Sequence, residues 1–121
     1  MITTWVFIAI AVYVVGSYFD FKYSSLGSAA GAPEFNPLMK GKDGKFSPGR
    51  FEIFHIVFLA FVVISHFTWL PDDQKQWTAP GLIIVGLASL AVAFGVDRSR
   101  WRKAVKDADK PQQPTIFVNQ V

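Results

Sequence analysis

FEIFHIVFLAFVVISHFTWL, residues 51–70, decides how this chain is read. The run is continuously apolar, without the alternation that marks a half-buried strand. As a helix, about 20 such residues cross the roughly 30 Å hydrocarbon layer of a bilayer. Pro71 and the acidic pair Asp72 and Asp73 end it. Two more blocks have the same character: TTWVFIAIAVYVVGSYF at 3–19 and PGLIIVGLASLAVAFGV at 80–96, where Pro80 suits a first helical turn. In lipid a backbone must satisfy its own hydrogen bonds, so helices are the expected form.

The predicted fold is therefore an all-α integral membrane protein with three transmembrane helices in one membrane domain, 1–121. The expected parts are spans at 3–19, 51–70 and 80–96, a loop at 20–50, a short loop at 71–79 and a tail at 97–121. The first block lacks a basic leader, and Asp20 stands where a small-residue cleavage site is expected, so it reads as a retained helix. SRWRKAVKDADK is predicted to continue the third span as an interfacial helix. Past Pro111 the chain reads as extended, and Ile116, Phe117 and Val118 are apolar for a free tail.

Charge predicts direction. Lys22, Lys40, Lys42, Lys45 and Arg50 lie in the long loop, and Arg98, Arg100, Arg102, Lys103, Lys106 and Lys110 in the tail. Three crossings put these two segments on one side, and Lys75 alone on the other. Lysine and arginine accumulate on the cytoplasmic side, which predicts an outer N-terminus and a cytoplasmic C-terminus in a bacterial inner membrane. Trp5, Trp69 and Trp77 fall near the outer boundary, and Trp101, Tyr18 and Tyr23 near the inner one, as interfacial aromatic belts require. Lys40, Lys42, Lys45, Arg98, Arg100, Arg102 and Lys103 are expected to meet anionic lipid headgroups.

The net charge of +3 is confined to that loop and tail, with few aromatic residues among the basic ones, which disfavours nucleic acid as a partner. With no cysteine, disulfides and thiolate metal sites are excluded. No Gly-rich phosphate loop or nucleophile elbow is present.

Ionisable groups inside a span are costly and usually face a bundle interior or a partner. Glu52 and His55 stand three apart on one face of the second span. Tyr13, Ser17 and Asp20 step down the first, and Glu34, Asn36 and Asp97 fall at the same end. A cluster of Asp20, Glu34, Asn36, Glu52 and His55 is the expected polar site. It admits three readings. One is a hydrogen-bonded belt in which Glu52 pairs with Arg50 or Lys22, and His55 with Asp20. Another is a metal site on Asp20, Glu52 and His55, built on the Glu-x-x-His turn. The last is a proton relay, or a ligand to a cofactor held by a partner. His66 lies on the same face eleven residues on and reads as an interfacial polar residue; two bis-histidine hemes need four histidines, and the chain has two. No cofactor is expected for the chain alone, leaving heme, pigment or metal as something a partner would hold. Phe51, Phe54, Phe58 and Phe61 form a packing or lipid-facing stripe. Ser89 with Ala93, and Ala91 with Gly95, are small pairs spaced for close helix packing.

Residues 16–39 carry an acid at the end of a helix (Asp20), a serine turn (Ser24, Ser25) and Glu34-Phe35-Asn36-Pro37. This pattern resembles an uncharacterised family of small polytopic bacterial membrane proteins that pair an acid after a helix with an E-x-N-P loop; Ser24 and Ser25 stand where that family has threonine. The resemblance implies a shared architecture and ties Asp20, Glu34 and Asn36 into one unit, without supplying a reaction.

The leading functional expectation is a non-catalytic accessory subunit of a larger bacterial inner-membrane complex, with lipid and other membrane subunits as partners. Two alternatives stand beside it: a phage holin-like pore former, similar in topology to one broad holin class, and a small metal-dependent membrane enzyme.

Overall fold

The computed structural model describes residues 2–109, with side chains from Thr4 onward. Lys110 and the apolar tail tip at Ile116, Phe117 and Val118 lie outside the described residues. The helices are α1 (Ile2–Ala29), α2 (Pro48–Thr68), α3 (Asp72–Lys75), α4 (Thr78–Val92) and α5 (Arg98–Asp109). A π-helical turn, Ala93–Asp97, joins α4 to α5 in one continuous rod. Among the described residues, three helices are long and apolar enough to cross a membrane.

The first helix is longer than the expected span at 3–19. Asp20 and Lys22 do not break it, because Ser24 Oγ donates to Asp20 Oδ1 one turn back, at 3.4 Å. Phe19 and Tyr23 also continue its aromatic face against Phe94 and Trp101. The stop comes at Gly31, which has φ 96°. The Gly31 amide donates to the Ser28 carbonyl at 3.0 Å and the Ala32 amide to Gly27 at 2.8 Å. This glycine-terminated cap satisfies the last carbonyls of the helix. The loop is thus 30–47, not 20–50. Ser47 starts α2 by accepting from the Arg50 amide, with Pro48 in the first turn.

Side-chain pairings fix the directions. Gly16 meets Gly86 and Gly27 meets Trp101, so α1 and the α4–α5 rod run parallel. Tyr13 meets Phe58, and Phe21 meets Phe51, so α2 runs antiparallel to both. The buried face of α1 is a stripe of Val6, Ala9, Tyr13, Gly16, Ser17, Ser24 and Gly27. Spacings of three, four and seven, with Gly16 and Ser17 side by side, keep these residues on one helix face. On the rod the matching stripe is Ala79, Leu82, Gly86, Ala93 and Asp97. Val6, Ala9, Tyr13, Ala79 and Leu82 make one core, and Met39, Phe46 and Phe51 make a second beneath the loop.

Of the expected small-residue pairs, Ala93 is buried and Ser89 half-buried on this stripe, whereas Ala91 and Gly95 face outward. The close approach falls at Gly86 instead. Nothing lies within 4 Å of a Cβ placed on Gly95, while one on Gly86 would meet the Val12 carbonyl oxygen at 2.7 Å.

Candidate functional site

A cavity of about 350 Å³ opens where α1, α2, the rod and the loop converge. Asp20 reaches it from α1, His55 and Phe54 from α2, Asp97 and Arg100 from the π-turn and α5, and Glu34 and Asn36 from the loop. Four of the five expected site residues (Asp20, Glu34, Asn36 and His55) therefore share one space. Glu52 does not. It is exposed and lines a separate, mostly apolar groove between α1 and α2, with Tyr13, Ser17 and Ile56.

The loop is shaped by its own side chains. Glu34 is buried, and its Oε1 accepts from the Asn36 amide at 3.0 Å; Asn36 Oδ1 accepts from the Leu38 amide at 3.0 Å. Such local carboxylate and amide turns explain the spacing of Glu34, Asn36 and Pro37. The Glu34 amide donates to the Gly44 carbonyl, and an antiparallel bridge joins Lys40 to Phe46, so the loop folds back as a small hairpin. Met39 and Phe46 pin it to Phe51 and Phe21.

Arg100 anchors the loop to the rod. Its Nη1 donates to the Pro33 carbonyl at 2.9 Å, its Nη2 pairs with Asp97 Oδ1 at 2.7 Å, and its guanidinium lies 4.9 Å from the Phe35 ring centre. Arg100, expected to meet lipid headgroups, spends its planar guanidinium on a buried carboxylate and a carbonyl at once. Lys40, Lys42, Lys45, Arg98, Arg102 and Lys103 are exposed. The sequence signal for the clamp was the i, i+3 spacing of Asp97 and Arg100.

His55 is bonded through Nδ1 to Tyr13 Oη at 2.6 Å, with Ser17 Oγ at 3.4 Å. The expected pairing with Asp20 is replaced by this bond to Tyr13, which is 2% exposed. Nor does Glu52 take up Arg50 or Lys22. Among the described residues the ion pairs are Arg100 with Asp97 and Lys75 with Asp72.

Asp20 instead faces two other carboxyls, Asp97 and Glu34. Asp97 is 3% exposed, and its Oδ2 has no hydrogen-bond donor. No group of three or more histidine, cysteine, aspartate and glutamate side chains among the described residues is arranged to hold a metal ion. Asp20 and Glu52 line different spaces, and His55 stands on the wall of both.

His66 is 3% exposed, and its Nδ1 bonds Thr78 Oγ1 at 2.8 Å. It fastens the far end of α2 to the start of α4. Trp5, Trp69 and Trp77 are exposed at that far end, and Tyr18 is exposed nearer the loop.

No family model, curated protein or solved structure matches this chain.

Proposed function

We propose that this chain is a small non-catalytic accessory subunit of a larger bacterial inner-membrane complex, with its N-terminus outside and its loop and C-terminus in the cytoplasm. The orientation is supported by charge. The basic loop and basic α5 share one end of the bundle, joined by Arg100 and Pro33, while Lys75 lies at the other. The positive-inside rule assigns the basic end to the cytoplasm.

The observation that carries the subunit reading is Glu52. Its carboxylate is exposed beside an apolar groove between α1 and α2, one turn inside a span. A carboxylate at this depth is unfavourable against lipid and normally faces protein. A second helix seated in the groove would supply its partner. The outward-facing Ala91 and Gly95 offer another close-packing surface.

Purification of the untagged protein from its native host in mild detergent tests this directly. Other subunits should elute with it in fixed ratio, and Glu52→Leu should reduce their yield. A lone monomer or a simple homo-oligomer would overturn the reading.

A further inference from the structure

Helix α2 carries two grooves, and the charges at their loop ends are opposite. The groove toward α1 holds Glu52. The other, about 560 Å³, is lined by Arg50, Phe54, Val57, Phe58 and Phe61, with Leu38 adding a wall from the loop. Arg50 and Glu52 are two residues apart, which turns them roughly 160° from each other about the helix axis. We propose that the Arg50 groove binds one anionic phospholipid, its phosphate on Arg50 and an acyl chain along the phenylalanines. The site rests on the chain crossing a bilayer and is separate from the docking of other subunits.

The groove has the length of one leaflet. From Arg50 to Phe61 the helix rises about 16 Å, and half of the hydrocarbon layer is about 15 Å. Phe54 and Phe58 lie parallel, their planes 2° apart and their centres 6.4 Å apart, so they present an even apolar wall. An unbranched acyl chain fits along it. Close packing of a helix in lipid relies on small residues, and this groove is lined by none. The polar end decides the headgroup. Arg50 is exposed, and among the described residues neither ion pair includes it. A guanidinium holds phosphate through paired N–H bonds and keeps its charge. A choline headgroup would bring its own cation toward Arg50, whereas a glycerol headgroup brings none. Glu52 repels the same phosphate from the groove toward α1, so charge sorts the two grooves.

Native mass spectrometry of the purified full chain, released from micelles holding equal amounts of dioleoyl phosphatidylglycerol and dioleoyl phosphatidylcholine, tests the site. One phosphatidylglycerol should be retained per chain in preference to phosphatidylcholine. Arg50→Gln should lower that preference about fivefold, the effect of one basic residue on an anionic lipid. Arg102→Gln removes an equal charge from the exposed surface of α5 and should leave the preference unchanged. Val57→Trp, at an exposed groove position, should fill the groove and lose the retained lipid while its circular dichroism stays that of the parent. Should Arg50→Gln fail to fold, Val57→Trp and the comparison of the two lipids still decide. Equal retention of both lipids, no retained lipid, or equal weakening by Arg50→Gln and Arg102→Gln would overturn the proposal. So would a dimer that Val57→Trp dissociates, since the groove would then belong to a second copy of the chain. None of these outcomes bears on whether other subunits copurify, so the lipid site and the subunit reading fall separately.

Discussion

Helix α1 meets its two neighbours in opposite ways. Against the rod it approaches backbone to backbone: a Cβ on Gly16 would lie 2.2 Å from the Gly86 carbonyl oxygen. Against α2 it stands off behind large rings, with Tyr13 stacked on Phe58 and bonded to His55, and Phe21 tilted against Phe51. The first contact is made of atoms that cannot move. The second is made of side chains, and the space it leaves holds the polar groups. A close seam on one side and a propped gap on the other is how so small a bundle keeps a cavity. Two glycines in helix interiors, each about 1 kcal/mol worse than alanine in intrinsic propensity, are tolerated because they allow the close seam.

The seam is the place to break the fold. Gly16→Ala places its new carbon against backbone on the rod, with no flexible side chain to yield. Overpacking of this kind costs about 3 kcal/mol, the upper part of its usual range. Unfolding in mixed detergent and dodecyl sulfate micelles, followed by circular dichroism, should show that loss for Gly16→Ala and a similar one for Gly86→Ala. Gly81→Ala, where nothing lies within 4 Å, is the internal control and should unfold no earlier than the parent, with a gain of up to about 1 kcal/mol.

The gap is closed from below by Arg100, so its removal should be felt next. Arg100→Ala leaves Asp97 buried with neither oxygen paired and unties Pro33. About 2 kcal/mol of stability should go, less than for a fully buried pair because Arg100 retains a fifth of its side-chain exposure. Hydrogen exchange sharpens the comparison. Amides of 30–47 should lose protection while those of α1 near Gly16 keep theirs. Equal loss along both would mean that the seam and the gap are not independent.

Tyr13→Phe probes the prop itself. The ring and its stacking on Phe58 remain, and only the bond to His55 disappears. Hydrogen bonds between helices within membranes contribute modestly, so about 1 kcal/mol is expected by the same micelle assay. A much larger effect would show that His55 has no alternative donor or acceptor nearby, although Ser17 Oγ lies 3.4 Å away.

The same contrast explains what could be read from the residues. Three apolar blocks announced three helices, because length and hydropathy are local properties. Asp20, Glu34, Asn36 and His55 could be grouped because their spacings put them at one end. Glu52 was misplaced because a helical wheel gives a direction but not the distance between helices; with α2 held off by rings, that direction opens onto a groove. Gly86 went unnoticed beside the pairs Ser89–Ala93 and Ala91–Gly95, since any of these rows suits close packing until the neighbour is known. The end of α1 was set too early, at the first charges. The true signal was Gly31, whose positive φ only the folded backbone reveals.

The smallest structural effect belongs to the outward face of the rod, where neither seam nor gap reaches. Gly95 sits in the π-turn with nothing within 4 Å of a new Cβ, on the side away from α1. Gly95→Leu should therefore change the stability of the isolated chain by less than about 0.5 kcal/mol, as exposed substitutions usually do. Its consequence for assembly should be far greater. On the proposed subunit reading, leucine would add bulk to the small outward face of Ala91 and Gly95, and close helix association in lipid depends on such small residues. Copurified subunits should fall away while the micelle unfolding curve stays in place. Had the outward glycine no partner, both measurements would be unmoved; had it a hidden role inside the bundle, both would shift together. Only the split result distinguishes a surface kept small for a neighbour from one that is small without consequence.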